Sequence, residues 1–197
     1  DGLASLKEIS EDGKRYRFQL SDNLKWSDGK PLTADDVLFT LDTILNSKIA
    51  SPVAEQFKSN GVPIKYNKVT GDPLGIEFVL PEPMGAFRVA LTLLTPIPKH
   101  IWGKSVKAGT LSVDFNNGTP LEKLVVSGPF KLKEYKADQR IVLVRNPNYF
   151  RTDSNGVRLP YLDRITFLII SDMNTALTKF IAGEVDVMHE IEPSQVE

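Results

Sequence analysis

Two histidines and two pairs of carboxylates are the residues whose types first suggest chemistry, either metal ligation or acid–base catalysis. His100 and His189 are the only histidines, and neither has a second histidine or a cysteine at metal-ligand spacing. The carboxylates of Asp35–Asp36 are adjacent, and adjacent residues on a helix point in different directions. Glu184 and Asp186 share one face of a predicted strand, where a solvated strand edge is their more ordinary role. We therefore predict no catalytic residue and no metal site.

Nucleophilic catalysis and cofactor binding also lack support in the sequence. The chain contains no cysteine, which excludes disulfides, a catalytic thiol and any cysteine-ligated metal. No serine stands in a nucleophile-elbow pattern, and no glycine-rich phosphate loop is present. We expect a protein that is not an enzyme and that requires no cofactor.

Two tryptophans and one strand entry are candidates for ligand contact. For Trp26 we favour core packing beneath the turn that follows it, whereas Trp102 could either stack on a ligand or pack in the core. Ser127 and Gly128 open a predicted strand and could expose main-chain groups to a cleft. A tight entry into the strand explains Gly128 equally well.

The N-terminal quarter of the chain predicts a strand, a turn and a capped helix. Residues Arg15–Leu20 alternate between apolar and polar side chains, as in a half-buried strand. The residues Ser27–Gly29 favour a tight turn. Thr33 and Asp36 have capping-box spacing in front of an apolar helical stripe, with Asp in place of the preferred Glu. We expect this helix to begin at about Ala34.

The middle of the chain predicts shorter elements. A strand over Ile76–Leu80 should stop at Pro81, and a helix should begin near Pro83 and run to about Leu94. Lys99–Trp102 predicts one further turn. The polar stretch from residue 104 to 121 predicts a surface excursion.

The pattern changes after about Val125. It predicts a hairpin, a strand apolar on both faces, a helix followed by a glycine, and the start of another strand. In chain order, these elements are Phe130–Tyr135 with Ile141–Arg145, then Ile165–Ile170, then Met173–Ala182, then a strand from Val185. A strand, helix and strand in this order favour a βαβ unit in a covered sheet.

Composition restricts the partners. The 197 residues are 41% hydrophobic, with 24 basic and 25 acidic residues, and no block of lysine or arginine is present. Nucleic acid and anionic membrane surfaces are therefore not expected as partners. No apolar run reaches the length that spans a bilayer. The chain opens on Asp1–Gly2 without a signal-peptide pattern, so an exported protein would carry its signal upstream of these residues.

Three segments carry a resemblance to a known family. They are FQLSDNLKWSDGKPLTADDVLFTLDTI (residues 18–44), SGPFKLKEYKADQRIVLVRNPNYF (127–150) and LPYLDRITFLIISDMNTALTKFIAGEVDVM (159–188). In this order they resemble the family 5 extracellular solute-binding proteins, the peptide- and nickel-binding components of bacterial ABC importers. The resemblance covers about two-fifths of the chain.

The resemblance implies a mixed α/β (α+β) fold of the type II periplasmic binding protein kind. Such proteins have two lobes joined by a hinge, with a further domain inserted near the N-terminus. By resemblance, residues 1–125 correspond to most of the inserted domain and residues 126–197 to part of the first ligand-binding lobe. The resemblance thus implies that the chain is a fragment of a longer binding protein.

The resemblance also implies a function. It predicts the substrate-binding component of an ABC importer, with dipeptides or oligopeptides as the default ligand and the membrane permease complex as partner. The protein would be an exported, monomeric lipoprotein, periplasmic or on the extracellular face of the cytoplasmic membrane. A non-transport sensor or chaperone-like module on the same scaffold is the alternative.

One loop acquires a role from the resemblance. In peptide-binding relatives, the loop corresponding to residues 49–54 approaches the ligand and often carries an aromatic residue. Val53 stands at that place in this chain, so Ser51 and Val53 join Trp102, Ser127 and Gly128 as predicted ligand-binding residues.

Overall fold

The computed structural model describes residues 2–188, which divide into two compact units. The first unit takes the residues up to Lys131 and then Arg145–Tyr161, and the second takes Leu132–Val144 and the residues from Leu162 onward. None of the helices within the described range combines the length and the apolar character needed to cross a membrane.

Short strands and helices of at most twelve residues make up both units. The strands are β1 (Ala4–Ile9), β2 (Arg15–Leu20), β3 (Lys58–Ser59), β4 (Val62–Pro63), β5 (Lys65–Lys68), β6 (Gly75–Val79), β7 (Phe130–Lys136), β8 (Arg140–Arg145) and β9 (Arg164–Leu168). The α-helices are α1 (Ala34–Leu45), α2 (Phe87–Ala90), α3 (Lys99–Ala108), α4 (Leu111–Asp114) and α5 (Met173–Ile181). Single 3₁₀ turns occupy Ala54–Phe57, Leu91–Leu93 and Leu121–Lys123.

The first unit is built on an antiparallel sheet with the strand order β1-β2-β6-β5. The predicted strand Arg15–Leu20 is confirmed as β2, and it pairs on one side with β1 and on the other with β6. Tyr16 lies opposite Phe78 in this register, and both side chains are buried. Phe87 of α2 contacts both rings edge-on, at centroid distances of 5.0 and 5.4 Å. One apolar face of the sheet therefore forms the core.

The helix predicted from the Thr33 and Asp36 spacing is confirmed. Thr33 is extended, α1 begins at Ala34, and the Asp36 carboxylate accepts a hydrogen bond from the Thr33 N–H at 3.0 Å. This is the backbone half of a capping box. The apolar stripe of α1, including Val37 and Leu41, is buried in the core.

Asp36 also binds two elements outside its own helix. Its carboxylate accepts from the indole N–H of Trp26 at 3.4 Å and from the backbone N–H of Lys99, at the start of α3, at 3.0 Å. Asp36 is 5% exposed and Trp26 is 1% exposed, which confirms core packing for Trp26. One buried carboxylate thus joins the turn, α1 and α3.

Two predictions for the middle of the chain were wrong. The helix expected from Pro83 begins only at Phe87, because Gly85 disfavours helix and the first supporting bond runs from the Phe87 N–H to the Met84 carbonyl at 3.1 Å. The single turn expected after Lys99 is the ten-residue helix α3, which buries Trp102. Part of the expected surface excursion is therefore helical.

The second unit contains the three-stranded sheet β7-β8-β9 and the helix α5. The predicted hairpin and the predicted strand near Ile165 are confirmed by β7, β8 and β9. The predicted helix is confirmed as α5: Asp172 accepts from the Thr175 N–H at 2.8 Å, and Gly183 follows the helix with φ 72°.

The strand predicted from Val185 is not formed within the described range: residues 185–188 are irregular, and they do not pair with β9. The βαβ unit is therefore not complete in the part of the chain that the structure describes. His189 lies outside the described residues.

The Asp36 network makes a testable prediction for stability. Asp36→Asn puts an NH₂ group against backbone and indole donors, so we expect the free energy of unfolding to fall by about 3 kcal/mol. Thr33→Ala should lower it by about 1 kcal/mol, because it keeps the Thr33 N–H but removes the side-chain half of the capping box. Asp35→Asn is the matched control, since Asp35 is exposed, and should change it by less than about 0.5 kcal/mol. Urea denaturation measures all three, and equal losses at positions 35 and 36 would contradict the prediction.

Glu77 makes a prediction for acid sensitivity. Burial raises the pKa of this β6 carboxyl, but hydrogen bonds from Arg17 (3.1 Å) and Arg15 (2.8 Å) outweigh burial and hold the pKa below its ordinary value of 4.5. A depressed pKa in the folded state means that the interaction stabilises the fold above pH 4.5 and is lost as pH falls through the folded pKa.

We therefore expect Glu77→Gln to be less stable than the parent at pH 7, with the difference shrinking below pH 4.5. Urea unfolding at intervals between pH 7 and 3 tests this. A difference that stays constant over the whole range would show that the charge of Glu77 contributes nothing.

Candidate ligand-binding site

The loop after α1 places Ser51 and Val53 at half-buried positions. The Ser51 carbonyl accepts from the Ala54 N–H at 3.1 Å, at the entry to the Ala54–Phe57 turn. Val53 packs against the hydrophobic core of the first unit. The preceding Ala50 has φ 51°, a left-handed conformation that is rare outside glycine. This loop is thus sharply bent, and both residues remain predicted, not observed, ligand contacts.

Trp102 is occupied within the chain itself. Its side chain is 5% exposed and contacts the ring of Phe115 edge-on, with the centroids 5.3 Å apart. Phe115 itself is exposed and follows α4. Core packing explains the position of Trp102, and its stacking on a ligand stays a prediction.

Ser127 and Gly128 lie in an irregular segment, Val126–Pro129, that leads into β7. Ser27 of the tight turn holds one end of this segment: its N–H donates to the Val126 carbonyl at 2.8 Å, and its hydroxyl oxygen accepts from the Val126 N–H at 3.2 Å. The 126–129 segment therefore pairs with the turn much as a short strand would.

The tight turn is itself fixed from a third direction. Its Asp28 carboxylate lies 2.8 Å from the Nε2 atom of His100 in α3 and accepts from the Lys30 N–H at 3.1 Å. Burial raises the pKa of Asp28, but these two hydrogen bonds outweigh burial and lower it below the ordinary carboxyl value. Gly29 takes φ 89°, as the tight turn requires. His100 therefore has a structural partner.

Sequence reasoning missed the residues that hold the other end of the segment. Asn146 is 0% exposed; its side-chain NH₂ donates to the Gly128 carbonyl at 2.8 Å, and its backbone N–H donates to the Pro129 carbonyl at 2.9 Å. Asn148 reaches the turn, where its side-chain NH₂ lies 3.4 Å from the Ser27 carbonyl. The asparagine-proline loop after β8 was the available signal, since asparagine often bonds main-chain groups in turns.

Three main-chain groups of the segment have no hydrogen-bond partner among the described residues. They are the N–H and carbonyl of Ser127 and the N–H of Gly128. Both residues are half-buried. Main-chain groups that lack a partner within the protein can hydrogen-bond a ligand, and an extended peptide supplies alternating donors and acceptors.

Two cavities formed by the described residues lie away from the 126–129 segment. One, of about 390 Å³, is lined in the first unit by residues of β1, β2 and β6, among them Glu8, Arg17 and Gln19. The other, of about 260 Å³, lies against β7, β8 and β9 in the second unit. Within residues 2–188, no three histidine or carboxylate side chains converge as a metal-binding group.

Comparison with known proteins gives the family. Residues 1–197 match the bacterial extracellular solute-binding proteins, family 5 Middle. The oligopeptide-binding protein AppA of Bacillus subtilis is 33% identical over 183 residues, which are 92% of this chain and 31% of AppA. The periplasmic alpha-galactoside-binding protein of Rhizobium meliloti is 33% identical over 199 residues, which are 97% of this chain and 28% of that protein.

A solved structure agrees with the sequence match. Bacillus subtilis AppA in complex with a nonapeptide superposes with a TM-score of 0.75 at 33% identity, over 93% of this chain and 34% of AppA. The chain therefore spans about a third of the length of these relatives. The expected mixed α/β fold of the type II periplasmic binding protein kind is confirmed as a partial one. The match over the whole chain shows that this protein belongs to the family 5 bacterial extracellular solute-binding proteins.

Proposed function

We propose that these residues are part of the substrate-binding component of an ABC importer and that its ligand is a peptide. The observation that carries this proposal is the 126–129 segment, whose half-buried Ser127 and Gly128 leave three main-chain groups without partners among the described residues. A peptide main chain satisfies such groups and leaves its side chains free to vary. The likeness to the nonapeptide-bound AppA supports the same ligand class.

The chain matches only about a third of the length of these relatives, which supports its being part of a longer protein. We propose that residues 1–125 form most of an inserted domain and that residues 126–197 begin the first ligand-binding lobe. A second lobe, supplied by the longer protein, then closes over the ligand about a hinge and excludes water from it. The permease complex recognises the closed form of an exported, monomeric and lipid-anchored binding protein.

The other predicted site residues keep secondary roles in this proposal. Ser51 and Val53 border the ligand from the loop after α1. Trp102 stabilises its surroundings by packing beside Phe115. It contacts the ligand only if closure exposes its ring. No cofactor is needed, because hydrogen bonding and enclosure supply the affinity.

Titration calorimetry tests the ligand class and the need for enclosure. We expect the full-length protein to bind trialanine or pentaalanine and the 197-residue chain to bind the same peptide at least tenfold more weakly, since one wall leaves much of a peptide in water. Raffinose, an alpha-galactoside, is the control ligand, chosen because one relative is named for that class. Binding of raffinose alone would contradict the peptide proposal, and equal peptide affinities would contradict enclosure.

The absence of catalysis is tested separately. We expect no hydrolysis of peptides or glycosides by the full-length protein, because the sequence has no nucleophile motif and the described residues have no metal-binding group. Mass spectrometry of each substrate after prolonged incubation is the measurement. Turnover that is abolished by one substitution within these 197 residues would show that the protein is an enzyme.

A further inference from the structure

Asn146 is a fully buried polar residue with both ends of its side-chain amide in use. The NH₂ group donates to the Gly128 carbonyl at 2.8 Å, and the Oδ1 atom accepts from the Asn148 N–H at 3.0 Å. Its backbone N–H donates to the Pro129 carbonyl at 2.9 Å. A buried amide with both of its polar atoms hydrogen-bonded holds its neighbours in one arrangement, because breaking either bond leaves a buried polar atom unsatisfied.

Asn146 and Ser27 hold the 126–129 segment at its opposite ends. Ser27 engages both main-chain groups of Val126, and Asn146 engages the carbonyls of Gly128 and Pro129. Asn148 connects Asn146 with Ser27, since its N–H donates to the Asn146 side chain and its own side chain reaches the Ser27 carbonyl. Among the described residues, the main-chain groups without partners lie between the end held by Ser27 and the end held by Asn146.

The direction of the Gly128 carbonyl decides what the segment can present. Gly128 has no side chain, and a Cβ atom built on it would meet nothing within 4 Å, so no side chain of its own restricts the direction of its carbonyl. The hydrogen bond from Asn146 does fix it. With that carbonyl engaged, the main-chain groups of the segment that lack a partner among the described residues are two donors, the N–H groups of Ser127 and Gly128, and one acceptor, the Ser127 carbonyl.

We propose that Asn146 is a positioning residue for ligand binding: it fixes the main chain of Ser127 and Gly128 in the orientation that pairs with an extended peptide. This inference rests on the peptide-binding function proposed above. Asn146 itself, being fully buried, does not touch the ligand. Its contribution is to remove the conformational freedom that the segment would otherwise lose on binding.

The test compares variants of the full-length protein. Asn146→Ala should weaken pentaalanine binding by about tenfold, the equivalent of one hydrogen bond's net contribution. Asn146→Asp keeps the acceptor for Asn148 but turns an oxygen toward the Gly128 carbonyl, so it should weaken binding to a similar extent. Asn148→Ala keeps the Asn146 to Gly128 bond and should weaken binding by less than about threefold.

A second measurement separates positioning from general destabilisation. Hydrogen exchange followed by mass spectrometry should show faster exchange, for both Asn146 variants, in the peptides that contain the Val126 and Asn146 amides, which donate to the Ser27 hydroxyl and to the Pro129 carbonyl. Ile64→Ala is the matched control, since it removes buried methyl groups from the core of the same unit without removing a side-chain hydrogen bond. It should lower the melting temperature but leave the affinity for pentaalanine unchanged.

The outcomes are distinct. Unchanged affinity in Asn146→Asp and Asn146→Ala, or an equal loss in Ile64→Ala at a matched melting temperature, overturns the positioning role and leaves the peptide function standing. A parent protein that binds neither trialanine nor pentaalanine overturns both. If Asn146→Ala does not fold, Asn146→Asp and Asn148→Ala decide: similar affinities for the two would overturn the positioning role.

Discussion

The first unit depends on one buried carboxylate. Asp36 caps α1 through the Thr33 N–H, holds the indole of Trp26, and accepts the backbone N–H that opens α3. Each of these partners is an N–H donor, so all three contacts use the acceptor oxygens of the Asp36 side chain. These hydrogen bonds fix the N-terminus of α1. The apolar stripe of the helix therefore packs on the sheet in a single orientation.

The ends of the neighbouring elements follow from that position. Thr40, one turn further along α1, donates to the Asp36 carbonyl and accepts from the Ile97 N–H at 2.9 Å, so α1 also holds the proline-flanked stretch that precedes α3. His100 of α3 then meets Asp28 of the tight turn. This tight turn also holds the 126–129 segment, through Ser27. A continuous set of polar contacts therefore runs from the helix cap to the candidate ligand-binding surface.

Local signals predicted about half of the strands and α-helices in the described part of the chain. Strand alternation placed β2 correctly, the capping spacing placed the start of α1, and a glycine after an apolar helix placed the end of α5. Each signal lies within a few residues of the feature it predicts. The errors fell where packing decided: α3 is a full helix because Trp102 is buried, and α2 is short because its stabilising contacts begin at Phe87.

The sequence by itself determined the family and the Ser127 and Gly128 candidates, since these depend on residue types and short spacings. Tertiary structure alone decided which main-chain groups of Ser127 and Gly128 have no hydrogen-bond partner among the described residues. The partners Asn146 and Ser27 lie 18 and about 100 residues away from the segment, and neither has a local pattern that specifies its target. Pairing over such distances is selected by burial of the whole unit, because a polar group withdrawn from water must find a partner wherever the fold supplies one.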